Sequence, residues 1–291
     1  MVEIKSCPVC GSFDLNFALC VKDHSISQEE FNLSECNNCS FVITSPRPDN
    51  NELGRYYQSE NYISHSGKGN SLVNTIYLRA RAFSLQWKLK LINKYKTGES
   101  LLDIGCGTGE FLKIIKQNGF SVEGVEPNDS ARSKASQLLN QNINRTLDEV
   151  KGLHDSITLW HVLEHLPDLN ESIQSMASLL KGAGLLLIAV PNHASKDANH
   201  YNKLWAGYDV PRHLWHFNRK SMATLLQKHG LVIQSIVPMK LDSFYVSMLS
   251  EKYLGSVGMG SLMSGFIHGL SSNLSARKSG EYSSLIYIAK K

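Results

Sequence analysis

Charge is scarce in this chain of 291 residues: Asp, Glu, Lys and Arg make up 19% of it and leave a formal net charge of +4. No run of Lys and Arg tracks a phosphate backbone, so no nucleic-acid partner is expected. Long apolar runs are missing as well. The strongest, Leu185 to Val190, is far short of the roughly 20 residues that cross a bilayer and reads as a buried strand; no membrane span is expected. The opening segment, Met1 to Cys7, holds no apolar stretch of the secretory kind, which points to a cytoplasmic protein. Proline is sparse at 8 residues, no internal repeat is present, and 42% of residues are hydrophobic, which excludes disordered and fibrous classes.

Cysteine is also sparse, but four of the six fall in a pattern. Cys7-Pro-Val-Cys10 and Cys36-Asn-Asn-Cys39 are two knuckles separated by residues 11 to 35. Each such turn presents two thiolates, and two turns complete a tetrahedral, structural Zn2+ site. A redox motif would place one pair at the start of a helix after a strand, and no strand precedes Cys7. The alternative is a set of free thiols on a small apolar face. Cys20 and Cys106 are left over. This zinc-ribbon-like module is assigned to residues 1–48.

Residues 49–97 read as a connector. Ser45-Pro-Arg-Pro leads into a tyrosine-rich stretch, Arg55 to Tyr62, and a polar segment ending near Asn70. Apolar residues at Leu72, Ile76, Ala80, Phe83, Trp87 and Leu91 then mark one helical face, expected to dock the cysteine module onto the rest.

From residue 98 to the end, short apolar runs alternate with amphipathic helices. Strands are expected at Leu101–Ile104, Ser121–Glu126, Ile157–Trp160, Leu185–Val190, Leu231–Met239 and Ser284–Ala289. That alternation gives βαβ units and a parallel sheet. Two insertions interrupt it, at 192–217 and 242–281. The second holds the uncharged, Gly-, Ser- and Met-rich stretch Leu254 to Leu270 and is assigned no further structure.

Chemistry concentrates at the strand ends. Leu102-Asp103-Ile104-Gly105-Cys106-Gly107-Thr108-Gly109 follows the first strand and opens a helix. Its alternate glycines let backbone approach a ligand closely, at a spacing unlike the pyrophosphate-binding G-x-G-x-x-G. Glu126, 21 residues after Gly105, ends the second strand, where a carboxylate accepts from both ribose hydroxyls. Trp160-His161-Val-Leu-Glu164-His165 follows the next strand. As bare letters it is an inverted zinc-protease motif, but a strand runs straight into it and Pro167 follows, so a metal is not expected there. A long loop then gathers Trp205, Tyr208, Arg212, His213, Trp215 and His216, either as a functional surface or as a satellite core.

Asp103-Ile-Gly-Cys-Gly-Thr-Gly109 with Gly-Val-Glu126-Pro127-Asn resembles the signature of class I S-adenosylmethionine-dependent methyltransferases. Residues 1–230 are similar in arrangement to nucleotide-sugar C-methyltransferases, which carry a zinc module with two C-x-x-C pairs. The resemblance implies an α/β, Rossmann-like, doubly wound and mostly parallel sheet of seven strands. It implies S-adenosylmethionine as cofactor, held by Asp103, Gly105, Cys106, Gly107, Gly109, Glu126, Pro127, Trp160 and His161. By position, His165 and His213 match the family's catalytic histidines, while Arg212 and Val210 replace its Glu and Tyr. The resulting expectation is methyl transfer to a small polar acceptor, a saccharide or nucleotide-sugar in polysaccharide biosynthesis, with His165 or His213 as base. Arg212 is expected to lower the His213 pKa or to bind an acidic group on the acceptor. The alternatives are a nicotinamide-dependent oxidoreductase and a non-catalytic zinc- and cofactor-binding scaffold.

Overall fold

A computed structural model describes residues 1–57, 72–256 and 258–291. Residues 58–71 and 257 lie outside the described residues, as do the side chains of 72–78. The tyrosine-rich stretch beyond Tyr57, the polar segment to Asn70, and the Leu72 and Ile76 positions of the expected helical stripe fall there. The chain divides into two compact units. One comprises Met1–Ser59, His161–Ile173 and Ile188–Ile288; the other comprises Glu60–Trp160, Gln174–Leu187 and Ala289–Lys291.

The second unit carries the first βαβ repeats. Helix α1 (Leu72–Tyr95) precedes strand β4 (Ser100–Ile104), whose Leu101 and Leu102 are sealed from water. Helix α2 (Glu110–Gln117) buries Phe111, Leu112 and Ile115 on one face and ends at Asn118, before Gly119 turns left-handed at φ 90°. Strand β5 (Ser121–Val125) follows, then helix α3 (Asp129–Leu139), whose Asn128 cap accepts from the Ala131 N–H. Strand β6 (His154–Trp160) completes the series. Strand β4 is parallel to both neighbours, with Asp103 opposite Gly124 on one side and Thr158 on the other. The chain therefore crosses from β5 over β4 to β6. Such a reversal opens a crevice at the strand carboxyl ends, where ligands of open α/β sheets bind. The helix expected to dock the cysteine module belongs to this unit and packs along α2.

Helix α4 (Leu169–Leu179) leads into strand β7 (Leu180–Pro191), and β9 (Val232–Pro238) and β10 (Ser284–Lys290) complete the large sheet in the order β5-β4-β6-β7-β10-β9. Among the described residues this sheet has six strands, the six expected from the sequence. The seventh, implied by resemblance alone, is absent from it.

In the first unit, β1 (Leu15–Lys22) and β2 (Glu30–Cys36) form an antiparallel hairpin, and β3 (Val42–Thr44) pairs with β2. The fourth strand of this sheet is β8 (Trp215–His216), contributed by the long loop 192–217. Val21, Phe31, Leu33, Val42 and Tyr56 share a core with Val210 of that loop. Residues 1–48 are therefore not a self-contained module: three strands expose an edge and an apolar face, and the loop covers both. Helix α5 (Lys196–Tyr201) and helix α6 (Arg219–Lys228) flank β8, the latter held by a reciprocal cap between Asn218 and Ser221. Helices α7 (Asp242–Tyr253) and α8 (Met259–Ser279) fill the second insertion and pack against each other.

Candidate functional site

Three constellations emerge, and each lies within a single unit. The first is the glycine turn after β4. The Gly105 and Cys106 N–H groups both donate to the Val125 carbonyl, at 2.8 and 3.0 Å. This folds the turn over the end of β5. Gly107 sits at φ 56°, and a Cβ built on it meets none of the described residues within 4 Å, so among them the turn presents bare backbone to open space. Gly109, at φ 81°, is forced by packing instead, since its Cβ would lie 3.0 Å from that of Ala135.

Glu126 faces the same turn. Its Oε2 accepts from the Gly107 N–H at 2.8 Å and its Oε1 from the Asn128 N–H at 2.9 Å. A carboxylate offers about four acceptor positions, so about two remain for a ligand diol. Pro127 follows in an exposed position. Asp103 is buried beneath the turn and accepts from the Thr158 hydroxyl at 2.6 Å. Burial pushes its carboxyl up to about 7, against the opposing effect of Thr158 and Lys88. The Cys106 side chain points into the packing, where a Cβ on Gly124 would come within 2.9 Å of its sulfur, so only its backbone is available to a ligand. At the end of β6, the Trp160 ring packs edge-on to Phe111 at 5.4 Å, with the Lys88 ammonium 4.2 Å from its centroid. Among the described residues its indole N–H is buried without a partner, an orphan donor that a bound polar ligand would satisfy.

The second constellation is the four cysteines. The Cys7 and Cys39 sulfurs are 3.6 Å apart, those of Cys10 and Cys36 are 3.5 Å apart, and all four lie within 4.8 Å of one another. Zinc–sulfur bonds of about 2.3 Å give a tetrahedron with edges of roughly 3.8 Å, so the donor set fits that ion. Burial raises the Cys7 thiol to about 11; at Cys10 hydrogen bonds from Asn38 and Ser12 outweigh burial and bring it to about 6. Asn170 and Lys228 both donate to the Pro8 carbonyl at 3.0 Å, fixing the first knuckle. Cys20 stands apart, its sulfur 3.8 Å from Glu30.

The third is a histidine–carboxylate cluster in the first unit. His165 and His213 meet edge to face with centroids 4.6 Å apart, and one ligand atom from each lies within 4.8 Å of a Glu164 oxygen. His165 Nδ1 is 3.0 Å from the Arg212 carbonyl and 3.1 Å from the Tyr57 hydroxyl; His213 Nδ1 is 2.9 Å from the Gly207 carbonyl. A carbonyl only accepts, so both rings carry a proton on Nδ1. Glu164 and Asp209 each stand 4.0 Å from His213 Nε2. Burial, with His213 alongside, lowers the His165 pKa to about 4. Burial raises the Glu164 carboxyl, but His161, His213 and His165 outweigh it and hold the group below its ordinary value.

His161 directly follows β6. It occupies left-handed backbone at φ 58°, a strained position for a non-glycine residue of the kind concentrated at functional sites. Its Nε2 contacts Asp242 at 2.9 Å and its Nδ1 contacts Glu164 at 3.4 Å. Burial lowers its pKa, and the two carboxylates more than reverse that, raising it to about 10. His161 is thus an imidazolium held between carboxylates.

Arg212 is not placed to bind an acidic group on an acceptor. It is 1% exposed. Its guanidinium donates to Asp23 at 2.9 Å, to Asp209 at 2.7 and 3.0 Å, and to the Tyr56 carbonyl at 3.1 Å. With its donors consumed it has none for an acidic group on an acceptor. The aromatics of the same loop are largely core: Trp205, Trp215 and Phe217 are buried, and the two indoles donate to Asp197 and to the Leu166 carbonyl. Sequence reasoning missed Asp23, Asp209 and Asp242. Only Asp209, three residues before Arg212, left a local signal.

Comparison with known proteins places this geometry. A family model described as a methyltransferase domain matches residues 77–236, more than half of the chain. The chain is 29% identical over 109 residues to a ubiquinone biosynthesis O-methyltransferase of Pectobacterium atrosepticum, covering 34% of this chain and 45% of that protein. It is 32% identical over 120 residues to the Coxiella burnetii protein of the same name, covering 38% and 51%. The chain thus spans about half the length of these curated relatives. In fold it resembles magnesium protoporphyrin IX methyltransferase from Synechocystis PCC 6803 with bound SAH. There the TM-score is 0.55 at 15% identity, covering 84% of this chain and 100% of that one. These relatives are named for O-methylation in ubiquinone biosynthesis, and their names lend no support to the expected saccharide acceptor or to polysaccharide biosynthesis.

Proposed function

The chain belongs to the methyltransferase-domain family, and we propose that it transfers a methyl group from S-adenosylmethionine to a hydroxyl oxygen of a small acceptor. One observation carries the reading: a bare glycine turn at the carboxyl end of β4 faces a carboxylate, Glu126, that keeps acceptor capacity for a ribose diol. The Gly105–Gly109 backbone, Glu126 and Trp160 would hold the cofactor. When bound, S-adenosylmethionine supplies an activated methyl group. The relatives' O-methyltransferase names support oxygen over carbon or nitrogen as the acceptor atom.

The chain's own chemistry is then removal of the acceptor's hydroxyl proton. His213 Nε2 accepts it, and Glu164 and Asp209, each 4.0 Å away, stabilise the imidazolium that forms. The Gly207 carbonyl fixes the tautomer throughout. His165, lowered to about 4, is a weak proton acceptor at neutral pH, and its Nε2 instead orients the hydroxyl. The reading is tested at Glu126. Replacing it with Ala should weaken S-adenosylmethionine binding by about 2 to 3 kcal/mol, roughly 30- to 150-fold, with the fold intact. Titration calorimetry showing unchanged affinity would place the cofactor elsewhere.

The four cysteines are proposed to hold one structural Zn2+, on the strength of their sulfur spacing. Elemental analysis should find close to one zinc per chain, and Cys36→Ser should lose it and lower the melting temperature. A fully folded, metal-free wild-type chain would refute the site.

A further inference from the structure

Helix α8 inverts the burial pattern of an ordinary surface helix. Its buried positions, Ser261, Gly265, Gly269, Ser272 and Ala276, are all small. A Cβ on Gly265 would lie 2.6 Å from Met248 Cα, and one on Gly269 would lie 2.9 Å from Phe244 Cα, so this side is pressed against the α7 backbone. The large apolar residues face water instead. Met259 is 78% exposed, Met263 63% and Ile267 58%, with Phe266, Leu270 and Leu274 also exposed. At about 100° per residue these six fall within a sector roughly 100° wide. A contiguous apolar stripe of this kind marks an interaction surface.

Charge decides the partner. Helix α8 contains no Asp or Glu, and its last turn carries Arg277 and Lys278, both exposed; Arg277 continues the line of the stripe. The two carboxylates of α7 are engaged. Glu251 is buried and accepts from Tyr201 at 3.0 Å and Ser264 at 2.7 Å, and Asp242 contacts His161 at 2.9 Å. The exposed charges of the helix pair, Lys252, Arg277 and Lys278, are therefore all cationic. A second copy of the same face would set cation against cation. An anionic lipid surface complements both the stripe and its charges, in the manner of interfacial helices. Among the described residues no helix is long and apolar enough to cross a membrane, so the helix would lie on the surface.

We propose that the exposed face of α8 docks the protein peripherally on membranes containing anionic phospholipid. The inference does not depend on the proposed transfer reaction. The full chain should cosediment with vesicles of phosphatidylcholine and phosphatidylglycerol, and far less with phosphatidylcholine alone. The double variant Met263→Ser, Ile267→Ser removes two exposed side chains, so its melting temperature should hold while its vesicle partitioning falls about tenfold. Arg277→Glu with Lys278→Glu should abolish the preference for the anionic lipid. Equal partitioning of the serine variant and the wild type would overturn the proposal. So would failure of the wild type to bind either vesicle, or a concentration-dependent dimer that the serine variant dissolves.

Discussion

Replacing Arg212 with Ala should destabilise the protein by about 3 to 5 kcal/mol, because it strands buried carboxylates without their cation. Asp23 is 1% exposed and shares the guanidinium with Asp209. A typical domain has about 5 to 15 kcal/mol in total, so this one substitution removes a large part of the margin. Differential scanning calorimetry reads the loss directly. The pH dependence has a definite sign. Burial raises the Asp23 carboxyl, but Arg212 and Ser27 outweigh it and bring the pKa to about 2, below the unfolded value of 3.8. The stabilisation is therefore complete above pH 4 and disappears as pH falls from about 4 towards 2, a slope the Arg212 variant should lack. A variant with normal stability and a raised KM for an acidic acceptor would instead restore Arg212 as a substrate contact.

His213→Ala should cut turnover by about 10² to 10⁴, measured as S-adenosylhomocysteine formed in the presence of a hydroxylated acceptor. Its affinity for S-adenosylmethionine should stay within about twofold, a division that separates proton removal from cofactor binding. His165→Ala should cost less, since its burial-lowered imidazole is the weaker base. Dialysis of the holoprotein against a chelator too weak to strip a four-thiolate zinc site supplies the counter-test. Glu164, His165 and His213 bring ligand atoms within 4.8 Å of one another, a spacing that also suits a divalent cation. Activity unaffected by the chelator supports the proton-transfer role; activity lost and restored by added Mn2+ would make the trio a metal site.

What was legible in the sequence follows from which interactions are local. Most strands of the large sheet announce themselves as apolar runs bounded by turn residues, whereas Ser121–Val125, with Ser, Glu and Gly among its five residues, is legible from its place between two helical segments. The glycine turn and Glu126 are legible because a strand, a tight turn and a strand-end acid occur at fixed spacing. The hairpin β1–β2 carries a period of two, since Leu15, Phe17, Leu19 and Val21 alternate with polar or small residues, but the metal-site reading of residues 1–48 assigns no strand there. Helix α8 hid for the opposite reason. Glycine and serine are poor helix formers, and its large residues mark the face that is not buried. Asp23 was beyond reach altogether, since it meets Arg212 across 189 residues of chain. So was the completion of the cysteine module by Trp215 and His216, a pairing that no local pattern encodes.

The central claim, that the turn at Gly105–Gly109 with Glu126 forms an S-adenosylmethionine site, is tested most directly by titration calorimetry on the wild-type chain. S-Adenosylmethionine should bind saturably with one site per chain, S-adenosylhomocysteine should compete for it, and reduced nicotinamide dinucleotide should give no heat. Binding of the dinucleotide with no response to S-adenosylmethionine would contradict the account.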